Sequence, residues 1–119
     1  VVMAEYRLGE IEMKFAELIW ENEPIASGEL AKLSLEQLNW KRTTTYTVLK
    51  RLCEKGIFQN QKGTVTSLVS KSSFQAKQSE AFVEETFSGS LPSFVAAFVS
   101  QKKLSKEEVE EIKKIIESF

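Results

Sequence analysis

Between Trp40 and Gly56 one helical period carries two patterns at once. Thr45, Val48, Leu49 and Leu52 recur at i, i+3, i+4 and i+7, the spacing of a helix stripe that must pack on a core. Thr43, Thr44, Thr47, Lys50 and Arg51 then point away from that core and form a basic, hydroxyl-rich face, with Arg42 and Tyr46 beside it. A face of that kind suits a DNA major groove, which is wide enough to admit an α-helix. Gly56 tolerates the left-handed conformation and predicts the helix C-cap. An ordinary amphipathic helix with a solvated charged face has the same pattern, so the helix alone leaves both meanings open.

The chain has 119 residues, enough for one compact domain with a helical extension and too few for two full-sized domains. Its 42% hydrophobic and 28% charged residues are the proportions of a soluble protein. No apolar run approaches the roughly 20 residues of a bilayer crossing, so no membrane partner is expected. The first residues lack the basic and apolar regions of a secretory signal, and Cys53 is the sole cysteine, which together predict a cytoplasmic protein. Cys53 has no partner for an internal disulfide.

The chain contains no histidine and no aspartate. A Ser/His/Asp or Cys/His constellation therefore cannot be drawn, and a transition-metal site would rest on glutamates and one thiol. Glutamate pairs such as Glu84-Glu85 and Glu110-Glu111 lie in charged helical stretches, where solvated faces explain them. The expectation is a protein that is not an enzyme and takes neither cofactor nor metal.

A net charge of −1 conceals a lopsided distribution. Residues 1–40 carry three basic side chains (Arg7, Lys14 and Lys32) against eight glutamates. In residues 41–62 the balance reverses, with Lys41, Arg42, Lys50, Arg51, Lys55 and Lys62 against Glu54 alone. Phosphate attraction needs a local positive field of this kind, and the overall charge says little about it.

Residues 1 to 7 show little pattern and read as a frayed arm or an appended remnant. A first helix is predicted from about Glu10 to Asn22, with Ile11, Phe15, Leu18 and Ile19 at helical spacing and Trp20 adding bulk; Pro24 disfavours its continuation. A short second helix, roughly Ser27 to Leu33, follows with Ser27 as N-cap and Leu30 and Leu33 inward. Leu35, Leu38 and Trp40 then cross to the basic helix. Beyond Gly56 the segment Ile57–Val69 turns β-rich and is broken at Lys62-Gly63, which predicts a two-stranded hairpin leaning on the helices. Three helices followed by such a hairpin make a winged helix, with Lys62 near the wing tip, where it serves either phosphate contact or plain solubility.

The last third is helical. Helices are expected over about Ser72 to Phe87, with Ser79, Phe82, Val83, Thr86 and Phe87 on one face, and over Leu91 to about Val99, capped by Ser90. A final helix opens with the capping box Ser105-x-x-Glu108, flanked by Leu104 and Val109 as a hydrophobic staple. Phe82, Phe87, Phe94, Phe98, Val109, Ile112 and Ile116 exceed what a small winged helix can cover, and a second copy of the chain is the natural cover. Folding back on the chain's own domain is the other way to bury them. The fold expected is thus mainly α with a small β-hairpin: a winged helix-turn-helix DNA-binding domain over 1–70 and a helical dimerisation region over 71–119.

In this order the residues resemble the penicillinase repressors of the BlaI/MecI/CopY group, bacterial winged-helix transcription repressors. The likeness runs nearly end to end. It rests on Leu8-Gly9-Glu10 with Leu18-Ile19-Trp20, on Trp40 through Gly56, on Leu68-Val69-Ser70, on Phe87 through Leu91, and on Phe98-Val99 through Leu104-Ser105 with Ile112. The resemblance implies a cytoplasmic homodimer whose third helices enter successive major grooves of an inverted-repeat operator in double-stranded DNA, silencing a resistance or stress gene. Thr44, Thr47 and Arg51 match the family's recognition pattern, whereas Thr43 and Tyr46 stand where many relatives have basic residues, which implies a different base preference. Some relatives are inactivated by a sensor metalloprotease that cuts an Asn-Phe bond in the fifth helix. The matching pair is Ala97-Phe98, which keeps the phenylalanine but lacks the asparagine. Copper-responsive relatives carry C-terminal cysteines, and none follows Cys53.

Two functions therefore stand: a sequence-specific repressor binding DNA through Arg42, Thr43, Thr44, Tyr46, Thr47, Lys50, Arg51 and Lys62, or a winged-helix protein-protein interaction module whose basic helix meets an acidic partner.

Overall fold

The computed structural model describes residues 7–119; the arm expected over residues 1 to 7 lies, Arg7 apart, outside the described residues. The chain forms two compact units, Val1–Ser79 and Glu80–Phe119. The first is a winged helix and the second is wholly helical.

Helix α1 spans Glu10–Asn22 and buries Phe15, Ala16, Leu18 and Ile19, while Ile11 stays half exposed. The Glu12 carboxylate accepts from the Gly9 backbone N–H at 3.2 Å, satisfying one amide that the helix start leaves open. Strand β1, Ile25–Ala26, comes next, and α2 follows over Ser27–Leu38. The second helix departs from expectation at both ends. Its N-cap is Ala26, without a side-chain bond, because Ala26 is held extended against Thr64 and the Ser27 N–H donates to the Gly63 carbonyl at 2.8 Å. The wing thus satisfies the N–H of the first helical residue, and Ser27 lies inside the helix instead of at the cap position expected for it. Helix α2 also runs past Leu33, because the buried Ser34 hydroxyl donates back to the Leu30 carbonyl at 2.9 Å and so sits inside a helix without a stranded polar group. It stops at Asn39, left-handed at φ 56°.

Helix α3 covers Arg42–Glu54, shorter than the predicted Trp40–Gly56 at each end. Trp40 instead stacks on Phe15 with ring centroids 5.0 Å apart, and Lys41 is extended. Gly56, at φ 82°, turns the chain out of the helix. The residues α3 buries are Thr45, Val48, Leu49 and Leu52, the stripe read from the sequence.

Strands β2 (Phe58–Gln61) and β3 (Thr64–Ser67) form the hairpin, with Gln61 opposite Thr64 across a two-residue loop. Lys62 and Gly63 have φ of 52° and 86°, the paired left-handed geometry of a type I′ turn. The hairpin is not alone, since β1 pairs with β3 to give an antiparallel sheet in the order β1-β3-β2. A third strand supplies support that an isolated hairpin lacks. The Glu23 carboxylate adds a clamp, accepting from both the backbone N–H and the hydroxyl of Ser67 at 2.8 Å.

Helix α4 spans Lys71–Phe87, its start capped by the Ser70 hydroxyl, which accepts from the Ser73 N–H at 3.1 Å. Its first turns belong with the winged helix, where Phe74 is fully buried 5.5 Å from the Trp20 ring. Ser88 and Gly89, both left-handed, end it. Helices α5 (Leu91–Gln101) and α6 (Lys106–Glu117) complete the second unit. The Ser90 hydroxyl caps α5 by accepting from Ser93 N–H, and the Ser105–Glu108 capping box closes in both directions at 3.1 Å.

Candidate nucleic-acid interface

On α3 the residues opposite the buried stripe are all in solvent: Arg42, Thr43, Thr44, Thr47, Lys50 and Arg51 are exposed and Tyr46 is half-buried. Helical spacing places Thr47 at the centre, with Thr44 and Lys50 in the i±3 row through it and Thr43 and Arg51 in the i±4 row. The four buried side chains beneath fix the rod, so this face is carried on a rigid element.

Several of these side chains are already oriented. The Thr47 hydroxyl donates to the Thr43 carbonyl at 2.9 Å, which fixes χ1 and with it the direction of the methyl group. The Arg42 guanidinium donates to the Tyr46 hydroxyl at 3.4 Å and lies 5.7 Å from the ring centroid, a cation–π distance. That hydrogen bond first, and one from Ser27 second, hold the Tyr46 phenol below its ordinary pKa.

Arg51 reaches across to α1, where its Nη1 lies 3.3 Å from Glu12 Oε2. Burial acts to raise the Glu12 carboxyl. It is outweighed by the Gly9 N–H, by the nearby Lys55 charge and by the Arg51 bond and charge, and the group titrates below its ordinary value. Glu12 was not among the residues read from the sequence, and its partner 39 residues away is a product of the fold. Lys55 donates to the Arg7 carbonyl at 3.1 Å.

Lys62 stands exposed at the wing tip beside Gln61, Thr64 and Thr66. A shallow groove lined by Tyr46, Leu49, Lys50, Cys53 and Asn60 separates α3 from the wing. Burial, and then the Glu54 charge, push the Cys53 thiol up, so little thiolate forms there at neutral pH. All eight side chains proposed from the sequence for DNA contact thus lie on α3 or at the wing tip of one unit.

The apolar side chains assigned to dimerisation belong to the second unit. Phe94 is the hub of an aromatic cluster, with ring centroids 6.0 Å from Phe82, 5.6 Å from Phe87 and 6.1 Å from Phe98. Yet none of residues 80–119 is buried. Phe82 is 51% exposed, Phe98 46%, Ile112 43% and Ile116 66%, and Val109 is half-buried. Ala97 and Phe98 are both exposed on α5. Among the described residues no helix is long and apolar enough to cross a membrane.

Residues 8–118 match the family model of the penicillinase repressor. The chain is 28% identical over 115 residues to the methicillin resistance regulatory protein MecI of Staphylococcus aureus, covering 93% of this chain and 94% of that protein. It is 29% identical over 115 residues to the penicillinase repressor of Bacillus licheniformis, with 93% and 90% covered. The MecI protein of Mammaliicoccus sciuri is 27% identical over the same length. With a winged helix whose third helix bears a solvent-facing basic surface, and a family match spanning nearly its whole length, the chain belongs to the penicillinase repressor family of transcriptional regulators.

Proposed function

We propose that this protein is a cytoplasmic transcriptional repressor that binds double-stranded DNA as a homodimer, reading an inverted-repeat operator of a resistance or stress gene. The observation that carries the DNA half is the exposed face of α3, where Thr44, Thr47 and Arg51 lie in one helical register on a fixed rod, with Lys50 and Arg42 supplying further charge. Threonine methyls can meet thymine methyls, threonine hydroxyls can serve base or phosphate, and an arginine fork fits guanine O6 and N7. Lys62 adds phosphate attraction from the wing tip. The relatives' names, a methicillin resistance regulator and a penicillinase repressor, support repression of a resistance gene.

The dimer half rests on the unit Glu80–Phe119, which has an aromatic cluster and no buried residue. Apolar surface on that scale calls for a partner, and two-fold pairing of identical chains would set two α3 helices against one palindromic site. A sensor metalloprotease, as the family resemblance implies, would cut at Ala97-Phe98, where alanine stands in place of the asparagine of cleaved relatives.

The test is a fluorescence-anisotropy titration against duplexes enriched from the source genome, repeated across salt concentrations. A repressor gives tight binding that falls steeply with salt and is weakened by Arg51→Ala. Absence of binding to every enriched duplex, with co-purification of an acidic protein insensitive to DNA competitor, would establish the protein-interaction alternative.

A further inference from the structure

The Glu12 carboxylate has two oxygens and each has its own partner. Oε1 accepts from the Gly9 N–H at 3.2 Å, and Oε2 meets Arg51 Nη1 at 3.3 Å. The first bond belongs to the start of α1, so the carboxylate is fixed by a helix terminus before the arginine arrives, and the positive end of the helix dipole favours its ionised form. The side chain of Glu12 is only 20% exposed, while that of Arg51 is 52% exposed. A held anion thus grips one edge of a guanidinium on a side chain that stays half exposed.

Such a pair contributes little to stability, since exposed ion pairs are worth about 0–1 kcal/mol. Its effect on geometry is larger. Arg51 is a long, flexible side chain, and an arginine reads a base through a planar fork whose orientation matters as much as its charge. One N–H committed to Glu12 leaves four for DNA and restricts the plane in which they lie. We infer that Glu12 is a positioning residue for DNA recognition, setting the Arg51 fork so that it discriminates between base sequences instead of binding any phosphate. The inference rests on the DNA-binding function proposed above and adds an α1 residue that touches no DNA itself.

The predicted signature separates positioning from a simple charge effect. A lone negative charge near the interface would lower the affinity of every duplex alike and cancel in a ratio of affinities. A positioning group changes the ratio. Glu12→Gln suits the test because its amide oxygen still accepts from the Gly9 N–H, while the amide NH2 in place of Oε2 only donates and so releases the guanidinium.

The experiment measures dissociation constants of the full chain, at fixed salt, for a duplex enriched by the wild-type protein and for a shuffled duplex of the same composition. In the wild-type background Glu12→Gln should reduce the ratio of affinities about tenfold, the scale of one well-made arginine–base contact. In an Arg51→Ala background the same substitution should leave the ratio unchanged. Arg51→Lys, which keeps the charge and removes the fork, should reproduce the loss seen with Glu12→Gln. An undiminished ratio in Glu12→Gln or Arg51→Lys, or an equal loss in both backgrounds, would overturn the inference while leaving DNA binding intact. A wild-type ratio near one would instead overturn the reading of an operator sequence proposed above, and the inference with it.

Discussion

The indole Nε1–H of Trp20 donates to the Val69 carbonyl at 2.9 Å, fastening α1 to the chain where it leaves the wing for α4. The same ring packs 5.3 Å from Phe58 and 5.5 Å from Phe74, so one tryptophan joins three elements of the first unit. Phe74→Ala should therefore destabilise that unit by about 3–5 kcal/mol, the usual cost of emptying a buried aromatic site. Trp20→Phe, which keeps most of the apolar bulk and loses the donor, should cost about 1 kcal/mol. Chemical denaturation of the two variants checks both figures, and a Phe74→Ala protein as stable as wild type would refute the docking role given to the first turns of α4.

Thr45 is fully buried and its hydroxyl has no hydrogen-bond partner among the described residues. Thr45→Val replaces that hydroxyl by a methyl of nearly the same volume, and should raise stability by about 1 kcal/mol, because an unsatisfied buried hydroxyl costs about that much. The substituted position lies on the buried side of α3, away from its exposed face, so DNA affinity should not change. Urea unfolding with an unaltered slope and a higher midpoint is the expected outcome; a lower midpoint would mean that the hydroxyl has a partner when the protein folds.

The capping box of α6 makes the stability of that helix depend on pH. Bonds from the Ser105 backbone N–H and then the Ser105 hydroxyl hold the Glu108 carboxyl below the ordinary carboxylate range. A group whose pKa is lowered on folding stabilises the folded form above its unfolded value, and that contribution disappears as pH falls through the lowered folded value. The end of α6 should therefore loosen on acidification, and Glu108→Gln should remove that part of the response. Hydrogen exchange of the α6 amides across the acid range measures it, and identical pH profiles for the two proteins would contradict the assignment.

Lys62 and Thr47 should separate attraction from readout. Lys62→Asn removes a charge while keeping a residue that accepts the left-handed turn, and should weaken binding to all duplexes evenly, lowering the salt slope of the dimer by about two, one for each protomer. Thr47→Ala should instead relax preference at one position in each half-site, where a mismatch ordinarily costs about 1–3 kcal/mol. Competition titrations with single-substitution duplexes distinguish the two, and an even loss for Thr47→Ala would remove that residue from base contact.

Much of this fold was legible in the sequence because its signals are local. The buried stripe of α3, the Lys62-Gly63 turn, the bounds of α1 and the capping box at Ser105 each follow from residues within a few positions of one another. Where expectation missed, the cause lay far along the chain. Ser27 lost its capping role because pairing with the distant wing holds Ala26 extended and starts α2 at Ser27 itself, and β1 exists only through its pairing with β3. Glu12 was invisible as a partner of Arg51 for the same reason. Trp40 also left the helix because Phe15 offers it a ring to pack on.

The most direct measurement is hydroxyl-radical footprinting of the wild-type chain on a duplex enriched from genomic DNA. Two copies of α3 reading one site predict two protected tracts related by a dyad, their centres about 34–36 Å apart or a multiple of that, with both tracts lost together in Arg51→Ala. A single tract without two-fold symmetry, or no protection on any enriched duplex, would contradict the account.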